Sequence, residues 1–123
     1  MANNILVAED ENSLVITLQD NLIAEGFTVA TASNGEEAVE RIRKRKPDLI
    51  LLDIFMPKKD GFYVLDELKK NLEWRSVPVF VLSNFGEDTT IKRAIEMGAN
   101  DYFVKSQHTI EEIISKIREY LEK

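Results

Sequence analysis

Five residues of this chain could do chemistry together: the adjacent acids Glu9 and Asp10, a third acid Asp53, the hydroxyl of Ser83 and the amine of Lys105. Each stands just after a short apolar run. Glu9 and Asp10 follow Ile5–Ala8, Asp53 follows Leu49–Leu52, Ser83 follows Val79–Leu82, and Lys105 follows Tyr102–Val104. Carboxylates brought together repel one another and lose hydration, so the cluster raises its own pKa values unless a cation joins it. Hard oxygen donors favour Mg2+, with Mn2+ as the alternative, and such an ion keeps waters and shares its remaining positions with a phosphate. The lysine and hydroxyl suit the oxygens of a phosphoryl group. Asp53 is then left as a nucleophile able to take that group as a mixed anhydride. A single acid after a strand is ordinarily a helix cap or a loop charge. Acid, acid, hydroxyl and amine at four strand ends form the signal.

For these residues to meet, the apolar runs must be parallel strands that end on one edge of a sheet. Runs rich in Val, Ile and Leu alternate with segments of helical period, the pattern of repeated βα units. The predicted strands are Ile5–Ala8, Thr28–Ala32, Leu49–Leu52, Val79–Leu82 and Tyr102–Val104. Helical stripes follow each: Leu14, Leu18, Leu22 and Ile23; Ala38, Val39 and Ile42; Val64, Leu65 and Leu68; Ile91, Ala94 and Ile95; then Ile110, Ile113, Ile114, Ile117 and Leu121. Gly26 and Gly98 each close a stripe before a strand, where a left-handed helix end favours glycine. The expected fold is α/β, a flavodoxin-like doubly wound (βα)5 sandwich with a five-stranded parallel sheet in the order 2-1-3-4-5. In that order the crevice opens between strands one and three, which makes Glu9, Asp10 and Asp53 neighbours.

Composition narrows the classes further. At 123 residues and 44% hydrophobic content the chain fits one domain, residues 1–123, with no output domain expected. It has no cysteine, which removes disulfides and thiolate metal sites and fits a cytoplasmic home. No segment approaches membrane-spanning length, so no membrane association is expected. A net charge of −6 disfavours direct nucleic-acid binding. Glu36, Glu37, Glu111, Glu112, Glu119 and Glu122 are expected to face water.

With these residues placed, the sequence resembles the response-regulator receiver family of two-component signalling, of the single-domain chemotaxis-regulator type. The resemblance rests on ILVAEDE at 5–11, DIFMPKKDG at 53–61, VLS at 81–83 and DYFVK at 101–105. It implies phosphorylation of Asp53 by a phosphohistidine donor, either a sensor histidine kinase or a histidine phosphotransfer protein. It also implies direct metal binding by Asp10, Asp53 and the Phe55 carbonyl, with Glu9 acting through a bound water. Ser83 and Tyr102 would form the switch, Tyr102 turning inward as Ser83 moves toward the phosphoryl group. A downstream protein would then read the face of the fourth helix, fifth strand and fifth helix, by a monomer or a phosphorylation-dependent dimer.

The chain also departs from the family pattern. Ser106 stands where the family usually has proline, Asn84 where it favours a very small residue, and Phe55 and Phe85 where side chains tune loss of the phosphoryl group. Two aromatics cannot orient an attacking water, which predicts a long-lived aspartyl phosphate. His108 is expected to be a surface or capping residue rather than a phosphoryl carrier, Trp74 to pack partly against the third helix, and the basic run Arg43–Lys46 to be a solvated helix end. Other readings fare worse: Phe55 replaces the acid that a dehalogenase-type phosphatase needs, and Glu9–Glu11 repels the phosphate of a flavin. A receiver fragment of a longer regulator, or a degenerate receiver serving only as an interaction module, remain the alternatives.

Overall fold

The computed structural model describes residues 3–122. Five strands, β1 (Asn4–Ala8), β2 (Thr28–Ala32), β3 (Leu49–Leu52), β4 (Val79–Ser83) and β5 (Asp101–Val104), alternate with five helices. These are α1 (Asn12–Ala24), α2 (Gly35–Lys44), α3 (Gly61–Lys70), α4 (Asp88–Glu96) and α5 (Ile110–Leu121). All pairings are parallel, in the order β2-β1-β3-β4-β5. The expected strands agree to within one residue at each end.

Period-two alternation divides the central strands between two cores. Leu6, Ala8, Ile50, Leu52, Val79 and Val81 pack toward α2, α3 and α4, while Ile5, Val7, Leu49, Leu51, Phe80 and Leu82 pack toward α1 and α5. Covering both faces forces the strands to be apolar throughout, which is why they read as continuous runs.

Local chemistry sets the helix ends. The Asn34 side chain accepts from the Glu37 amide at 2.9 Å, and Thr109 forms a capping box with Glu112. Glu37 is therefore half-buried rather than fully solvated, because its own carboxylate accepts from the Ser33 amide at 2.8 Å. Gly26 and Gly98 adopt φ of 94° and 109°, as their positions predict.

Two stripe residues fall outside the core. Ile23 and Ile95 are 53% and 45% exposed, since each lies about 100° around its helix from the neighbouring residue that faces the sheet. In α4 only Ala94 is buried, and Arg93 reaches back to lie 3.8 Å from the centroid of the Phe62 ring on α3. Trp74 packs partly against the core with Arg43 over its ring, in line with the expected partial packing, and His108 sits edge-on to Phe103.

Candidate functional site

The strand ends deliver Glu9, Asp10, Asp53, Ser83 and Lys105 to one edge of the sheet. Glu9 and Asp53 are buried, Asp10 is exposed, and carboxylate oxygens of the three lie within 4.8 Å of one another. Lys105 Nζ stands 2.8 Å from Glu9 Oε1 and 3.6 Å from Asp53 Oδ2. Glu9 Oε1 is fully enclosed and accepts no well-aligned hydrogen bond, so the lysine charge is its sole compensation among the described residues.

The electrostatics are left unresolved by the protein's own groups. Burial first, and then the Glu9 charge, push the Asp53 carboxyl up to about 7, against the opposing pull of Lys105 and of the Phe55 amide. For Lys105, burial works to lower the pKa, but the close ion pair with Glu9 and the charges of Asp53, Glu9 and Glu11 outweigh it and raise the value. Three carboxylates against one lysine leave two negative charges, which a divalent cation would neutralise. The donor set, all oxygen with one member open to solvent, fits a hard divalent ion that retains waters.

Ser83 is fully buried, and its hydroxyl accepts from the Phe85 amide at 3.2 Å. Tyr102 is half-buried, packs against the core beneath α3 and α4, and donates its hydroxyl to the Phe85 carbonyl at 2.6 Å. Burial, opposed by the neighbouring Ser83 hydroxyl, raises the Tyr102 phenol pKa. The tyrosine thus already bridges β5 and the β4–α4 loop. The Phe55 amide donates to Asp53 Oδ1 at 3.3 Å, and its exposed ring meets that of Phe85 with centroids 4.3 Å apart. Ser106 lies in a 3-10 turn, Lys105–Gln107, and no peptide bond among the described residues is cis.

Sequence reasoning missed Glu11. Its carboxylate is 3.8 Å from Lys105 Nζ, and its amide donates to Glu9 Oε2 at 3.0 Å, which fixes the Glu9 side chain. The run of three acids after β1 was the available signal.

The sequence pattern of the response regulator receiver domain matches residues 5–118. The chain belongs to this family. This receiver is similar to the probable transcriptional regulator ycf27 of Porphyra purpurea, at 42% identity over 117 residues, covering 95% of this chain and 46% of the relative. Its fold is similar to a putative response regulator from Chloroflexus aurantiacus, with TM-score 0.91, 25% identity and full coverage of both chains. It is also similar to the Mn2+-bound form of response regulator Rcp1, with TM-score 0.85, 26% identity and coverage of 97% of this chain and 94% of that one. The receiver spans about half the length of the curated relatives it matches. Among the described residues no helix is long and apolar enough to cross a membrane.

Proposed function

We propose that this receiver is a phosphorylation-controlled switch in which Asp53 takes a phosphoryl group from a phosphohistidine of a sensor histidine kinase or histidine phosphotransfer protein. The observation that carries this reading is Lys105 Nζ held between Glu9 and Asp53 inside a cluster of three carboxylates. An Asp53 carboxylate oxygen forms the new bond to phosphorus as the bond from phosphorus to the donor imidazole breaks, and the imidazole leaves with its electron pair. Lys105 offsets the charge on the transferring oxygens, and Ser83, on the neighbouring strand, supplies a hydroxyl donor. Asp10, Asp53 and the Phe55 carbonyl would hold Mg2+, or Mn2+ as in the Rcp1 relative, with Glu9 behind a water. That ion, when bound, supplies electrostatic stabilisation of the phosphoryl oxygens.

Readout follows from differential contacts. Ser83 bonded to the new phosphoryl would release the Phe85 amide, reshaping the loop to which Tyr102 is tied and shifting the face of α4, β5 and α5 toward a partner-binding form. The domain acts as a substrate of phosphotransfer rather than as a turnover enzyme. Intact mass after incubation with Mg2+ and acetyl or carbamoyl phosphate is expected to show one phosphoryl addition, absent in Asp53→Asn. Addition that persists in that variant would sink the assigned site.

A second reading is favoured by the length comparison: the receiver is the regulatory part of a longer transcriptional regulator, as its relatives are named. Sequencing the flanking gene separates this from a stand-alone regulator.

A further inference from the structure

Gly35, the first residue of α2, is buried and lies far along the chain from every acid of the site. The first amides of a helix have no partner within it, and the Gly35 amide donates instead to the Lys59 carbonyl at 2.7 Å. Lys59 belongs to the segment 54–60 that links Asp53 to α3. The base of this segment is closed by Gly61 donating to the Ile54 carbonyl at 2.7 Å, and its tip contains Lys58 in the left-handed region at φ 64°. Among the described backbone hydrogen bonds, Gly35 to Lys59 is the one that ties the tip to another element of the fold. A Cβ at Gly35 would stand 2.5 Å from the Lys59 oxygen and 2.8 Å from its carbonyl carbon and Cβ. Such contacts stay above 3.0 Å, so the segment would have to give by at least about half an ångström.

We infer that Gly35 is a positioning residue that holds the segment carrying Phe55 tightly enough to make the acidic site select Mg2+ over Ca2+. The inference rests on the metal site proposed above. Mg2+ demands near-ideal geometry at about 2.0–2.1 Å, whereas Ca2+ accepts ligands at about 2.3–2.6 Å in flexible arrangements. Rigidity of the segment therefore translates into selectivity, and a displaced segment penalises the smaller ion more.

The test titrates Mg2+ and Ca2+ separately into the parent protein, Gly35→Ala and Ile42→Ala, following binding by calorimetry. Gly35→Ala is expected to weaken Mg2+ binding about tenfold, the lower end for residues that support ligands, with a smaller change for Ca2+. Ile42, buried in the same helix, controls for lost stability and should leave the ratio of affinities unmoved. A second measurement uses the parent alone: since coupling is reciprocal, saturating Mg2+ must slow hydrogen exchange at the Gly35 amide more than saturating Ca2+ does, each taken relative to the buried Ile114 amide, which reports global stabilisation. This decides the matter if Gly35→Ala does not fold. An unchanged affinity ratio in folded Gly35→Ala, or a Gly35 amide slowed no more by Mg2+ than by Ca2+, overturns the inference while the metal site stands. A parent protein that binds no Mg2+ overturns the metal site and the inference with it.

Discussion

Polar side chains stand at both edges of the sheet, Asn4 buried with Asp48 and Asn100 exposed where strands begin and Glu9 and Asp53 buried where they end, and the two edges treat them in opposite ways. At the edge where strands begin, Asp48 accepts from the Asn4 amide at 2.7 Å, Asn4 accepts from Thr28 at 3.2 Å, and Asn100 accepts from the Val79 amide at 2.9 Å. Every one of these groups has a local partner and a structural task. At the edge where strands end, Glu9 and Asp53 are buried against one lysine, with Glu9 Oε1 lacking an aligned donor and Asp53 carrying a pKa of about 7. The same residue types thus mark structure where they are satisfied and chemistry where they are not.

The sharpest way to break this comparison is Asp53→Asn. It is expected to abolish divalent-dependent phosphorylation while preserving the fold, because it removes a buried repulsion rather than a support. The pH dependence has a defined sign. The folded Asp53 pKa is raised from 3.8 to about 7, so its contribution to stability is fully present below 3.8 and is lost as pH rises through about 7. Thermal melts in chelator should therefore show parent stability falling relative to Asp53→Asn from about pH 4 to about pH 7 and levelling off above that. Added Mg2+ should reverse this difference, since the ion binds the deprotonated site and stabilises the folded state by mass action. Parallel pH profiles for parent and variant would contradict the assigned cause.

Next in size is the lifetime of the phosphoryl group. The Phe55 and Phe85 rings present no polar atom to water near Asp53. Loaded protein freed of donor is expected to keep its phosphoryl group for minutes or longer, and Phe55→Gln to shorten that lifetime about tenfold, a modest part of what a positioned polar group can supply. Decay of the parent within seconds refutes this expectation. The smallest effect belongs to the opposite edge. Asp48→Ala should cost about 1–2 kcal/mol in urea denaturation through loss of a charge-assisted hydrogen bond, with phosphorylation unchanged. A loss of phosphorylation in folded Asp48→Ala would erase the distinction between the edges.

Much of this was legible in the sequence for identifiable reasons. Strand limits followed from β-branched and leucine-rich runs bounded by Gly98, Pro47 and acidic residues, and the site residues Glu9, Asp10, Asp53, Ser83 and Lys105 followed because each lies at the last position of a strand or within two residues after it. What could not be read depends on backbone atoms and loop shape. The Tyr102 partner is the carbonyl of Phe85, and the Gly35 partner is the carbonyl of Lys59, atoms that every residue type carries alike. Glu37 was misjudged because its half-burial comes from the hydrogen bond to the Ser33 amide, a detail of helix capping rather than of periodicity. Ile23 was misplaced for a related reason: spacing alone does not say where an apolar stripe ends.

The thin seating of α4 has a consequence for how such a protein can diversify. With Ala94 its one buried side chain, most of the helix is free of the packing constraints that bind α2, α3 and α5. Substitutions at Thr89, Lys92, Ile95 and Glu96 alter what the helix presents while leaving the acidic crevice and both cores intact. Under the proposed readout, a lineage could rewire its listeners through α4 one residue at a time, with the acidic crevice inherited unchanged.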